Sequence, residues 1–92
     1  MLPRGRISAH PGKVLAQEFL APAAMTQAEL ARRLNISPQR LNKIIRGRRG
    51  ITTYTALRLA AYFKNSPEFW MNLQTAYDLS KALQERRRRG AA

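Results

Sequence analysis

Apolar positions along the chain recur every three or four residues, and no run alternates apolar with polar, so the pattern predicts helices and no strands. Val14, Leu15, Phe19 and Leu20 mark a first helix, which Pro22 ends before the Ala23-Ala24-Met25 connection. Thr26 and Glu29 have the spacing of a capping box, in which each side chain receives the other residue's backbone amide, so a second helix starts there. Leu30, Ala31 and Leu34 form its buried stripe, and Asn35, which tolerates positive φ, is expected to end it. Ser37-Pro38 opens a third helix, with Leu41, Ile44 and Ile45 on its apolar side, running to Arg46 with Gly47 as a left-handed C-cap. Thr52 or Thr53 caps a fourth helix in which Ala56, Leu57, Ala60 and Phe63 are expected to face inward, with Asn65 closing it. Ser66-Pro67-Glu68 begins a long fifth helix whose spaced apolar residues are Phe69, Trp70, Leu73, Tyr77 and Leu83. The expected fold is all-α, with five helices and a long last one.

Ninety-two residues allow one small core and no second core or large substrate cavity. Residues 1–10 carry no apolar periodicity and read as a flexible N-terminal arm, residues 11–85 as the folded domain, and residues 86–92 as a basic tail. The arm holds Arg4 and Arg6 but no apolar signal segment, and no stretch approaches the length of a membrane span, so a soluble cytoplasmic protein is expected.

Charge narrows the partner. Seventeen Lys and Arg against five Asp and Glu give a formal net charge of +12, which attracts polyanions. The cations are clustered: seven lie between Gln27 and Gly50, where Glu29 is the sole acid, and five lie between Lys81 and Arg89. Absence of cysteine excludes disulfides, thiolate catalysis and Cys-based metal sites. His10 is the single histidine, so a His-based metal site or triad would lack partners, and it is expected to be structural at the junction of arm and core. No nucleophile, base and orienting group recur at useful spacing, so no catalysis, metal or cofactor is expected.

Residues 27–46 hold two short helices separated by a tight turn, with small Ala31 permitting close approach and Leu30, Leu34, Ile36, Leu41 and Ile44 closing the corner. That is a helix-turn-helix pattern. On the side of the third helix opposite Leu41, Ile44 and Ile45 stand Gln39, Arg40, Asn42, Lys43 and Arg46, all able to donate to base edges or phosphates. Gln39, Arg40 and Lys43 are expected to contact bases, because the N-terminal half of a recognition helix lies deepest in the major groove. Gln27, Ser37, Arg46, Arg48 and Arg49 are expected at phosphates, where they set register.

The segment resembles the repressor-type helix-turn-helix family in Gln27, Ala31, Leu41 and Ile44, with Asn35 standing where that family often has Gly. A wider resemblance covers His10-Pro11-Gly12, Ser37-Pro38-Gln39-Arg40-Leu41-Asn42, Arg49-Gly50-Ile51-Thr52, Ala56-Leu57-Arg58-Leu59-Ala60 and the stretch from Pro67 to Leu79. In these residues the chain is similar to the HigA-type antitoxins of type II toxin-antitoxin systems. The resemblance implies a homodimer that binds a palindromic double-stranded operator, represses its own operon and neutralises a small HigB/RelE-like mRNA-cleaving toxin. It assigns no toxin-contact residues. Because such a reader generally pairs with a copy of itself, the aromatic surface of the fifth helix is expected to supply the contact, through Trp70 and Tyr77.

Two other readings fit the residues alone: a stand-alone repressor without a toxin, and a cationic RNA- or protein-binding module in which the helix-turn-helix is scaffold. Arg86 to Arg89 fit either a solvated helix end or an added phosphate-binding tail.

Overall fold

The helix starts marked by capping residues are the helix starts of the computed structural model, which describes residues 8–90. The helices are α1 (Pro11–Val14), α2 (Gln27–Leu34), α3 (Pro38–Ile45), α4 (Thr53–Phe63) and α5 (Pro67–Arg88), and α1 continues directly as a π-helical segment, Leu15–Leu20. Thr26, Ser37, Thr52 and Ser66 each accept the amide three residues on, and the Thr26–Glu29 box is complete.

Helix ends follow left-handed residues. Asn35 (φ 56°) ends α2, with the Ile36 amide reaching back to the Ala31 carbonyl at 3.1 Å. Gly47 (φ 76°) ends α3, with the Arg48 amide on the Lys43 carbonyl at 2.8 Å. At the end of α4 the left-handed residue is Lys64 (φ 58°), one before the expected Asn65, whose side chain instead accepts from Trp70 Nε1 at 2.9 Å.

The core gathers Leu15, Leu20, Leu30, Ala31, Leu34, Leu41, Ile44, Ile51, Ala56, Leu59, Ala60 and Trp70. The π-helical segment has a physical use: its wider turn, with the Ala21 amide on the Ala16 carbonyl at 3.0 Å, brings Leu15 and Leu20, five residues apart, into one core.

Four expectations change. Leu57 is 57% exposed, while Leu59 and Thr55 are buried beside the expected Ala56 and Ala60, so the inward face of α4 takes in Thr55 and Leu59 and leaves Leu57 out. Trp70, expected at a subunit contact, is 0% exposed, stacked near Phe19 and Phe63 and hydrogen-bonded to Asn65; neighbouring Phe69 is 38% exposed. Tyr77, the other expected subunit contact, is half-buried, with its ring edge-on to His10 at 4.7 Å. The arm is shorter than residues 1–10: Ser8 donates its amide to Ser80 Oγ at 2.9 Å and His10 is buried. The arm expected over residues 1–7 and the end of the tail at residues 91–92 lie outside the described residues, and α5 carries on past residue 85 to Arg88.

Candidate nucleic-acid interface

α3 is anchored from one side only. Leu41 and Ile44 are buried and Ile45 half-buried, while Gln39, Lys43 and Arg46, spaced to share one side of the helix, are exposed. Arg40 and Asn42 are half-buried at the edge of that side. Ser37 is exposed and its hydroxyl receives the Arg40 amide at 3.1 Å, so the cap that starts the helix also fixes the backbone under its first polar side chains. Arg40 Nε is shielded and has no hydrogen-bond partner among the described residues.

Gln27 is exposed at the start of α2, where its Oε1 accepts from Asn42 Nδ2 at 3.0 Å. That bond ties α2 to α3 on the outer surface and leaves the Gln27 amide nitrogen as a donor. With Ala28, Pro38 and Gln39 the pair outlines a shallow concavity of about 390 Å³. Arg48 and Arg49 are exposed beyond the Gly47 turn. Gln27, Ser37, Gln39, Lys43 and Arg46 therefore all reach solvent from the α2–α3 pair, with Arg48 and Arg49 continuing along the loop after it.

Electrostatics single this surface out. Among the described residues the ion pairs are those of Glu85 with Arg88 and Arg89, at the far end of α5. The cations of α3 and its following loop therefore have no intramolecular counter-charge, and their field is available to an external anion.

Arg58 escaped the sequence reading. From α4 its guanidinium donates to the Leu34 and Asn35 carbonyls and to the Tyr54 hydroxyl, and it stacks over the Tyr54 ring at 4.3 Å. It thus holds the C-terminal end of α2, where orphan carbonyls carry partial negative charge, and through it the turn into α3. The Tyr54/Arg58 spacing on α4 is legible in sequence, but the carbonyls it reaches are more than twenty residues away.

No group of His, Asp or Glu among the described residues could hold a metal ion, and no helix among them is long and apolar enough to cross a membrane.

The helix-turn-helix family model matches residues 17–70, which span α2, α3 and α4. Virulence-associated protein I of Dichelobacter nodosus is 48% identical over 84% of this chain and 71% of its own length. Antitoxin HigA-1 of Vibrio cholerae is 39% identical over 74% of this chain, which spans 64% of that protein. The antitoxin HigA of Pseudomonas aeruginosa, solved with the higBA promoter, superposes with a TM-score of 0.84 at 41% identity, covering 90% of each chain. The chain belongs to the repressor-like helix-turn-helix family, in its group of HigA-type antitoxins.

Proposed function

We propose that this chain is an antitoxin and transcriptional autorepressor: a homodimer that binds a palindromic double-stranded operator through α3 and neutralises a small HigB/RelE-like mRNA-cleaving toxin. One observation carries the DNA half of the reading. The polar side of α3 is outward, cationic and free of internal counter-charge, while Leu41 and Ile44 hold the helix from beneath. In such an arrangement the helix enters the major groove as a rigid body.

Gln39 suits adenine and Arg40 and Lys43 suit guanine, through donor and acceptor patterns unique to the major groove. Gln27, Ser37, Arg46, Arg48 and Arg49 take phosphates and set register. The P. aeruginosa HigA solved with the higBA promoter and the antitoxin GraA solved with its operator support the same use here.

The test is a binding titration of the chain on the duplex upstream of its own gene, beside Arg40→Ala plus Lys43→Ala. The double variant is expected to lose sequence preference while keeping weak, salt-sensitive binding; an unchanged preference would rule out the base contacts. Toxin neutralisation is tested by co-expression with the neighbouring small open reading frame: growth rescue and co-purification are expected, and neither would occur with a stand-alone repressor.

A further inference from the structure

A cation from outside the helix-turn-helix stands at the end of α3. Gly12 lies against the backbone of Ile44 and Ile45, so Lys13, the next residue, is held beside the C-terminal end of that helix. Lys13 and Gln17, one helical turn apart, are both exposed, as is Arg46. Together with His10, Gly47 and Tyr77 they line a concavity of about 430 Å³. Its aromatic wall is stiff: His10 is buried, its Nδ1 accepts the Gly12 amide at 2.9 Å, and its ring meets that of Tyr77 edge-on at 4.7 Å.

We infer that this concavity seats a backbone phosphate of the operator, with Lys13 and Arg46 as its charged donors and Gln17 as a neutral one, so that α1 takes part in DNA binding; the inference rests on the operator reading above. Charge favours an anion. Neither Lys13 nor Arg46 is in an ion pair among the described residues. Of the neighbouring acids, Asp78 has a carboxylate oxygen held by Gln74 Nε2 at 2.9 Å, and neither it nor Glu18 lines the concavity. Two cations and an amide without a facing carboxylate form a site for a phosphate oxyanion.

Position favours DNA as the source of that phosphate. Arg46 shares the exposed side of α3 with Gln39 and Lys43, so the concavity lies at the edge of the reading surface and not on a separate face. The eight residues of α3 span about 12 Å, close to the width of the major groove, about 12 Å. Gln27 and Ser37 at one end of the helix and Lys13 with Arg46 at the other are therefore within reach of the two phosphate walls, and contacts at both ends fix the angle at which α3 enters. The rival role for Lys13 is intramolecular, a cation offsetting the negative carbonyl end of α3. That role would contribute stability and would not couple Lys13 to any single DNA phosphate.

The experiment titrates the full chain and its Lys13→Gln variant on the duplex upstream of its own gene, with single phosphates replaced in turn by neutral methylphosphonates. Lys13→Gln is expected to weaken binding about tenfold, the worth of one charge-assisted hydrogen bond, to make the salt slope shallower by about one unit and to leave sequence preference and thermal stability unchanged. At one phosphate of each half-site, neutralisation should weaken the wild type but not Lys13→Gln, and Lys13→Arg should restore that sensitivity. Inorganic phosphate, titrated into the free chain and followed at the Gly47 amide by NMR, is expected not to saturate the site at millimolar concentration. Saturation there, with Lys13→Gln and neutralisation additive at every position of the duplex, would assign the concavity to a free anion and overturn the inference. A Lys13→Gln chain that is less stable but binds with unaltered slope overturns it in favour of the intramolecular role. In both cases sequence-specific binding by the wild type leaves the operator reading standing, whereas a wild type that binds no duplex removes both.

Discussion

Gly12 sits so close to the end of α3 that an ideal Cβ on it would lie 1.8 Å from the Ile44 carbonyl oxygen. The first turn of α1 is thereby braced against the backbone at the C-terminal end of the recognition helix, and only a residue without a side chain permits the approach. Gly12→Ala must push the two elements apart, since the obstructing atom is backbone. It is expected to lose about 3 kcal/mol of stability, the upper part of the overpacking range, in urea unfolding. Operator affinity should fall with it as α3 tilts. A variant within about 0.5 kcal/mol of the wild type, the scatter of neutral surface substitutions, would show the brace to be soft.

Gln74 is a polar side chain set in the core, where it joins two elements. Its Oε1 accepts the Ile51 amide at 2.8 Å, and its Nε2 donates to Asp78 Oδ1 at 2.9 Å. Gly50 lies against the same amide group, with room for a Cβ only at 3.0–3.1 Å from it. Gln74→Met fills similar volume but strands the Ile51 amide, so the cost is expected to be about 1–3 kcal/mol, that of an unsatisfied buried donor. Equal thermal stability of Gln74→Met and wild type would mean that water reaches Ile51 instead.

These two sites show what the sequence could and could not disclose. Caps were legible because they are local: Thr26 with Glu29, Ser37 with Pro38 and Ser66 with Pro67 each satisfy amides within a few residues, and Asn35 and Gly47 answer a backbone need at their own position. The outward side of α3 was legible for the same reason, since Leu41 and Ile44 fix its phase. Where two apolar neighbours compete for the core, periodicity does not choose between them. Trp70 won over Phe69 because Asn65 waits for its ring N–H, and Leu59 is buried while Leu57 is left at the open cleft beside Pro67 and Met71. Partners distant along the chain, such as Gly12 with Ile44, Gln74 with Ile51 and Arg58 with Leu34, left no local trace.

Binding through cations that lack internal partners should be strongly salt-dependent. With about six phosphates neutralised per subunit, the log of affinity should fall with log salt at a slope of about −0.9 per phosphate. Arg48→Ala, in the loop after α3, is expected to make that slope shallower by about one unit while leaving sequence preference intact. Arg40→Ala should do the reverse, costing about 1–3 kcal/mol chiefly on the cognate site. If Arg48→Ala altered preference and Arg40→Ala altered only the slope, the two roles would have to be exchanged.

Arg58 provides a way to disturb the helix-turn-helix without touching its outer surface. Its bonds to the Leu34 and Asn35 carbonyls fix the end of α2 and hence the angle at which α3 leaves the turn. Arg58→Met preserves the packing of the aliphatic stem and removes the donors. The expected result is operator affinity weakened about tenfold, with the salt slope unchanged because no phosphate contact is lost. Hydrogen exchange supplies the second readout, with faster exchange at the Asn35 and Ile36 amides. A reduced slope with unaltered exchange would instead make Arg58 a phosphate ligand.

His10 links folding to pH at the same junction. Burial is the main cause holding its pKa below the ordinary 6.5, with the Lys81 charge acting in the same direction, while Asp78 and a backbone hydrogen bond with Arg49 oppose them. The folded chain therefore keeps the imidazole neutral, with Nδ1 accepting the Gly12 amide at 2.9 Å, at pH values where the unfolded chain has begun to bind a proton. Because the unfolded state takes up more protons in that window, stability is undiminished above pH 6.5 and declines as pH falls toward the lowered folded value. Below that value the penalty is complete, since the folded state then takes up the proton as well. His10→Asn retains a side-chain acceptor for the Gly12 amide and cannot titrate, so its unfolding free energy should lack the His10 component of this decline. The difference between the two proteins, followed by urea titration from pH 7.5 to about 5, isolates that component, because the other titrating groups are common to both. Parallel curves for wild type and variant would mean that His10 becomes charged with equal ease folded and unfolded, and that its seat beside Gly12 is open to water.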